Sequence, residues 1–79
     1  MGTKQHEVNL MTEGLGCLGK ASPDEPIFIL RAQDLHADYA VECWADAAAV
    51  ILGGGHPKVQ EARTVAASMR AWPTRKLPD

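Results

Sequence analysis

Cysteine is scarce in this sequence, with only Cys17 and Cys43. They lie far apart and neither belongs to a CxxC pair. A disulfide framework is therefore excluded, and free thiols in a reducing cytoplasm are expected. No apolar run approaches the ~18 residues that a membrane span needs. The polar start, residues 1–5, is not followed by the long apolar stretch of a secretory signal. Charge of one sign is not in excess either: the formal net charge is −2. The strongly basic balance of most nucleic-acid binders is thus missing. Seventy-nine residues make one domain with a modest core. That leaves little room for a deep, water-excluding cleft, so a binding module is expected rather than an enzyme.

What is present falls into two parts. Residues 1–25 read as a loosely ordered N-terminal arm. Val8, Leu10, Met11, Leu15 and Leu18 are interrupted by Gly14, Gly16 and Gly19, which oppose a continuous helix. A short helix or strand over 6–13 fits, and Ala21 to Pro26 reads as a linker. Residues 26–79 read as the domain proper. Ile27-Phe28-Ile29-Leu30 is rich in β-branched and aromatic residues and reads as a short strand. A strand needs partners for its backbone groups. The arm, a second copy or an extended path along the helices would have to serve.

Asp34 is a good N-cap for a helix from Leu35 to about Leu52. Its apolar stripe, predicted to face the core, is Tyr39, Ala40, Cys43, Ala47, Val50 and Ile51. Gly53-Gly54-Gly55 ends it, and Pro57 opens a second helix with the stripe Val59, Ala62, Val65, Ala66, Met69 and Trp72. Pro73 stops that helix. The short connection predicts an antiparallel pair. The fold class expected is therefore α+β: a small single domain with an antiparallel helix pair and one or two short β-strands.

Four acids recur every fourth residue: Asp34, Asp38, Glu42 and Asp46. On a helix such positions lie about 6 Å apart on one side. One reading is an acidic ridge aimed at a basic protein groove, imitating nucleic-acid phosphates. The other is a solvated face with an acid-rich first turn. Charge is also segregated along the chain. Residues 22–53 carry −5, with Arg31 the single base, whereas residues 54–79 carry +3. This fits a dipolar docking surface and equally fits two helices drawn together by rim ion pairs. The bases Lys58, Arg63, Arg70, Arg75 and Lys76 form a candidate basic patch, and Trp72 stands among the last of them. Trp72 continues its helix's apolar stripe and is expected in or capping the core. Trp44, at the edge of the first stripe, could be core or an exposed anchor for a partner. His6, His36 and His56 lack metal-ligand spacing, Cys43 falls mid-stripe, and the triple glycine lacks the strand and Gly-Lys-Ser/Thr of a phosphate loop. No catalytic residue, metal site or cofactor is expected.

Asp24 to Asp34 (Asp-Glu-Pro-Ile-Phe-Ile-Leu-Arg-Ala-Gln-Asp), Trp44-Ala45, and the ending Met69-Arg70-Ala71-Trp72 with Arg75-Lys76-Leu77-Pro78-Asp79 resemble small proteins encoded by phages and prophages of Gram-negative bacteria. The resemblance covers residues 24–79. Size and alanine content are similar to the anti-CRISPR proteins, the type I-C inhibitors foremost. It implies a stoichiometric inhibitor in the cytoplasm of the bacterial host, a monomer or weak dimer, that binds the DNA-recognition subunit of a CRISPR-Cas surveillance complex and blocks engagement of target DNA. It assigns no residue by position. The ridge Asp34, Asp38, Glu42 and Asp46 is the expected contact surface. Two alternatives stand beside it: a small DNA-binding or regulatory protein using the basic patch, and a phage structural or assembly protein paired through its strand.

Overall fold

A computed structural model describes residues 2–77. Four helices follow in order: α1 (Lys4–Thr12), α2 (Gly16–Lys20), α3 (Ala37–Leu52) and α4 (Pro57–Arg70). Among the described residues there is no β-strand, and the only ladder contact is an isolated bridge between Asp34 and Lys76. The α+β class is therefore corrected to a mostly helical chain without strands among the described residues. The reason is the need for a partner. The arm that would have to pair with Ile27–Leu30 folds into α1 and α2 instead, so the segment has no edge to join.

The arm is helical despite its glycines because Gly14 lies in the joint and Gly16 opens α2, leaving Gly19 as the one glycine inside a helix. Thr3 caps α1, its Oγ1 accepting from the His6 N–H at 3.2 Å. Gly14 and Gly16 take positive φ between the two helices. Gly19 then lets α2 approach closely. A Cβ there would stand 2.8 Å from the Gly14 carbonyl carbon. Neither helix buries a residue, and they pack on each other and not on α3 or α4.

The domain proper is the α3–α4 hairpin. α3 starts two residues later than predicted. Asp34 is not its N-cap but closes the preceding turn: its Oδ1 accepts from the His36 N–H at 2.8 Å, and its carbonyl from the Ala37 N–H at 3.0 Å. Gly53, at φ 91°, ψ 145°, terminates α3 in a conformation that side chains resist. His56 caps α4 through Nδ1, which accepts from the Lys58 N–H at 3.1 Å, and Pro57 fills the first turn, where no N–H is needed. The last residues return to the start of the hairpin. Leu35 donates to the Lys76 carbonyl and Lys76 donates to that of Gln33.

The core is small and built from small residues. Ala45, Val59 and Ala62 are buried together, with Val41, Ala48 and Ala49 packed against them. Ala37 and Ala66 are also buried. The stripe predicted for α4 is largely correct, with Val59, Ala62 and Ala66 inside and Trp72 exposed. The stripe predicted for α3 is not. Tyr39, Ala40, Cys43, Ala47, Val50 and Ile51 all face solvent. The helix is turned so that alanines and acids face α4.

Candidate functional site

The turn of α3 about its axis determines both of its surfaces. On the inner side the acids meet the arginines of α4 and the tail. Arg63 Nη1 lies 2.7 Å from Glu42 Oε2 and 3.0 Å from Asp46 Oδ1. Arg70 reaches Glu42 at 3.3 Å and Asp38 at 3.5 Å. Arg75 Nη2 sits 2.7 Å from Asp38 Oδ1. Acids descending α3 thus meet bases ascending α4, which is the order an antiparallel pair imposes. Exposed pairs of this kind are worth little singly. They line the side of α3 that faces α4.

The far end of this ladder is the best protected. Asp38 and Arg75 keep side-chain exposures of 17% and 16%. Arg75 also donates from Nε to the Ala32 carbonyl at 3.0 Å and from Nη2 to the Asp34 carbonyl at 2.9 Å. One guanidinium therefore ties the tail, the turn before α3 and the first turn of α3 together. The hydrogen bond from Arg75, ahead of its charge, holds the Asp38 carboxyl below the ordinary aspartate value. Hydrogen bonds to Asp46 and then Glu42 hold the Arg63 guanidinium above its own.

Each predicted site residue can now be placed. Asp38, Glu42 and Asp46 are brought together but face arginines of the same chain. Asp34 is apart from them, in the turn. Of the basic patch, Arg63, Arg70 and Arg75 belong to the ladder, Lys58 lies in the first turn of α4, and Lys76 joins the backbone bridge to the turn. Neither set forms a free, single-sign surface. Among the described residues no group of three or more His, Cys, Asp or Glu side chains is placed to hold a metal, and no helix is long and apolar enough to cross a membrane. An open depression on α4 is lined by Gln60, Glu61, Thr64 and Val65.

The outward face of α3 is the surface that sequence reasoning misses. Tyr39, Ala40, Cys43, Trp44, Ala47, Val50 and Ile51 lie on it, all exposed. Asp46, at its margin, is the one charged residue there, and Arg63 partners it. The large side chains are well out of the fold: Tyr39 is 72% exposed, Trp44 53%, and Val50 and Ile51 86% each. Side chains of this size present roughly 150–250 Å² when free, so these four leave on the order of 450–750 Å² of mostly apolar surface. A single patch on a monomer seldom exceeds this. The contrast with α4 is direct, since its outward positions are Lys58, Gln60, Glu61, Thr64 and Ser68. A helix that is apolar all round is normally buried all round. Within the face, the Cys43 thiol interacts with the Tyr39 hydroxyl one turn away and holds it above the ordinary tyrosine value. Two signals in the sequence point to this face. Only Asp38, Glu42 and Asp46 interrupt the apolar residues of α3, too few for a helix with a single stripe. Arg63 and Arg70 also share a face of α4 with Val59 and Ala66.

Comparison with protein families, curated proteins and solved structures found no match to any of the three.

Proposed function

We propose that this protein is a non-catalytic protein-binding module that docks the outward face of α3 into an apolar groove of a partner. The observation that carries the reading is the exposure of Tyr39, Trp44, Val50 and Ile51 on one almost uncharged helix face. Spacing of large residues at Tyr39, Val50 and Ile51, with small Cys43 and Ala47 between, suits helix-in-groove recognition. Trp and Tyr are the residues that most often dominate binding energy in such contacts. This reading places docking away from the ridge Asp38, Glu42 and Asp46, because those carboxylates pair with Arg63, Arg70 and Arg75 of the same chain. For the same reason a DNA-binding role is disfavoured: three of the five bases it would use already face carboxylates.

The partner class follows from the resemblance of residues 24–79 to small phage-encoded inhibitors. We take it to be a type I-C CRISPR-Cas surveillance complex in the host cytoplasm, held in a form that does not engage target DNA. The test is size exclusion of the purified protein with that complex, alongside a Tyr39→Ser, Val50→Ser, Ile51→Ser variant. Co-elution of the wild type, loss of DNA binding by the complex, and failure of the variant to co-elute are the expected results. Co-elution of the variant at wild-type level would remove α3 from the interface. Absence of wild-type co-elution would remove this partner.

A further inference from the structure

The segment from Glu25 to Arg31 runs without a turn or bend. Among the described residues, no hydrogen bond within the chain involves the backbone N–H or C=O of Ile27, Phe28, Ile29 or Leu30. Phe28 is 85% exposed and Ile29 69%. Ile27, Phe28 and Ile29, exposed and of high β-propensity, with the half-buried Leu30, have no backbone partner within the chain and form an edge of the kind other proteins take care to cover. It is separate from the α3 face on which the proposed function rests.

We propose that Ile27–Leu30 is a docking segment that pairs antiparallel with the same segment of a second copy, with the two-fold axis at Phe28. The flanking charges argue for a copy of itself. Glu25 precedes the segment and Arg31 follows it. With the axis at Phe28, each Glu25 stands opposite the partner's Arg31, so two opposite-charge pairs close the ends of the ribbon. Neither group has an ionic partner within its own chain among the described residues. Glu25 Oε1 accepts from the Ser22 N–H at 3.2 Å, and Arg31 Nη2 donates to Gln33 Oε1 at 3.2 Å.

The register satisfies the backbone as well. Ile27 faces the partner's Ile29 on one side of the ribbon, and Phe28 faces the partner's Phe28 on the other. If the Phe28 pair is the non-hydrogen-bonded kind, alternation makes Ile27 and Ile29 hydrogen-bonded pairs. These exchange four N–H···O=C bonds. Alternation then places Pro26 at a non-hydrogen-bonded position, where its missing N–H is not required. A slip of one residue would move Arg31 opposite Pro26 and exchange the two faces. Parallel pairing would set Glu25 beside the partner's Glu25 and oppose like charges.

Sedimentation equilibrium of the full chain, with and without substitutions, tests this. The wild type should show a monomer–dimer equilibrium. Glu25→Arg or Arg31→Glu alone should raise the dimer Kd by about tenfold, because each turns two attractive pairs into repulsive ones. An equimolar mixture of the two charge variants should recover the wild-type Kd, since each mixed dimer avoids the doubly repulsive arrangement. Ile29→Pro should abolish dimerisation by removing a ladder donor. The substituted residues lie outside all four helices, so the helical circular dichroism of every variant should match the wild type. A wild type that stays monomeric into the millimolar range overturns the proposal. So does a dimer that is indifferent to these substitutions, or a mixture of charge variants that fails to recover.

Discussion

Arg75 lies in the tail after α4, yet it holds the start of α3. Its guanidinium serves the Ala32 and Asp34 carbonyls and the Asp38 carboxylate at once. Lysine cannot present three donors in that fork. Arg75→Lys is therefore expected to recover little of what Arg75→Ala loses, which the two carbonyl bonds alone put at about 1–2 kcal/mol. Chemical denaturation of the three proteins checks it. Asp38 supplies a pH signature. Its folded carboxyl titrates below the ordinary aspartate value of 3.8 because of the Arg75 hydrogen bond. The stability it contributes is present above that value and is lost as pH falls through the lower, folded one. Wild type and Asp38→Asn should differ most near neutral pH, and the gap should narrow steadily in acid below pH 3.8. A gap that does not depend on pH would contradict the assignment. Gly53 gives a third test at this scale. With its positive φ and ψ near 145°, Gly53→Ala should cost about 1–3 kcal/mol. Gly54 has no positive φ, and a Cβ added there would meet no atom within 4 Å, so it should accept alanine at little cost.

At the scale of elements, local signals predict α3 and α4 well, leave α1 undecided between helix and strand, miss α2, and give the packing only in part. The triple glycine, Pro57 and the periodicity of α4 lead to the hairpin and to Val59, Ala62 and Ala66 as core. The strand expected at Ile27–Leu30 rests on β-propensity, which describes a surface that fits a sheet and cannot supply the neighbouring strand. The rotation of α3 escapes the sequence for a different reason. Periodicity identifies an apolar stripe, and α3 has two: Tyr39, Cys43, Val50 and Ile51 on one side, Val41, Ala45, Ala48 and Ala49 on the other. The larger residues favour the wrong one. In the structure the other stripe faces α4, and Glu42 and Asp46 lie beside Arg63 and Arg70. The acidic row is legible in the sequence, as is its match to the segregated bases. Their meeting within one chain needs the hairpin geometry. The rotation makes a paired prediction. Ala45→Leu, at a fully buried position, should destabilise by about 1–3 kcal/mol through overpacking. Ala47→Leu, further round the helix and exposed, should leave the melting temperature almost unchanged.

For the molecule as a whole, a core of alanines and valines supports a hairpin whose largest side chains are spent elsewhere. Among the described residues Val59 is the largest fully buried one, while Trp44, Trp72, Tyr39 and Phe28 are all exposed. A small domain gains stability from each large residue it buries. Leaving these outside is consistent with surfaces kept for a partner, α3 in the proposed function and Ile27–Leu30 in self-pairing. The proposed function depends on which side of α3 faces out, and Cys43 reports that directly. It lies mid-way along the outward face, and the other thiol, Cys17, can be removed as Cys17→Ser. The measurement is the rate at which Cys43 in the native Cys17→Ser protein reacts with a water-soluble disulfide reagent, compared with the same thiol in denaturant. An outward Cys43 should react in the native protein within a few-fold of the denatured rate, with no unfolding required. A thiol that reacts only as fast as the protein unfolds would place Cys43 in the core, and the outward apolar face of α3 would not exist.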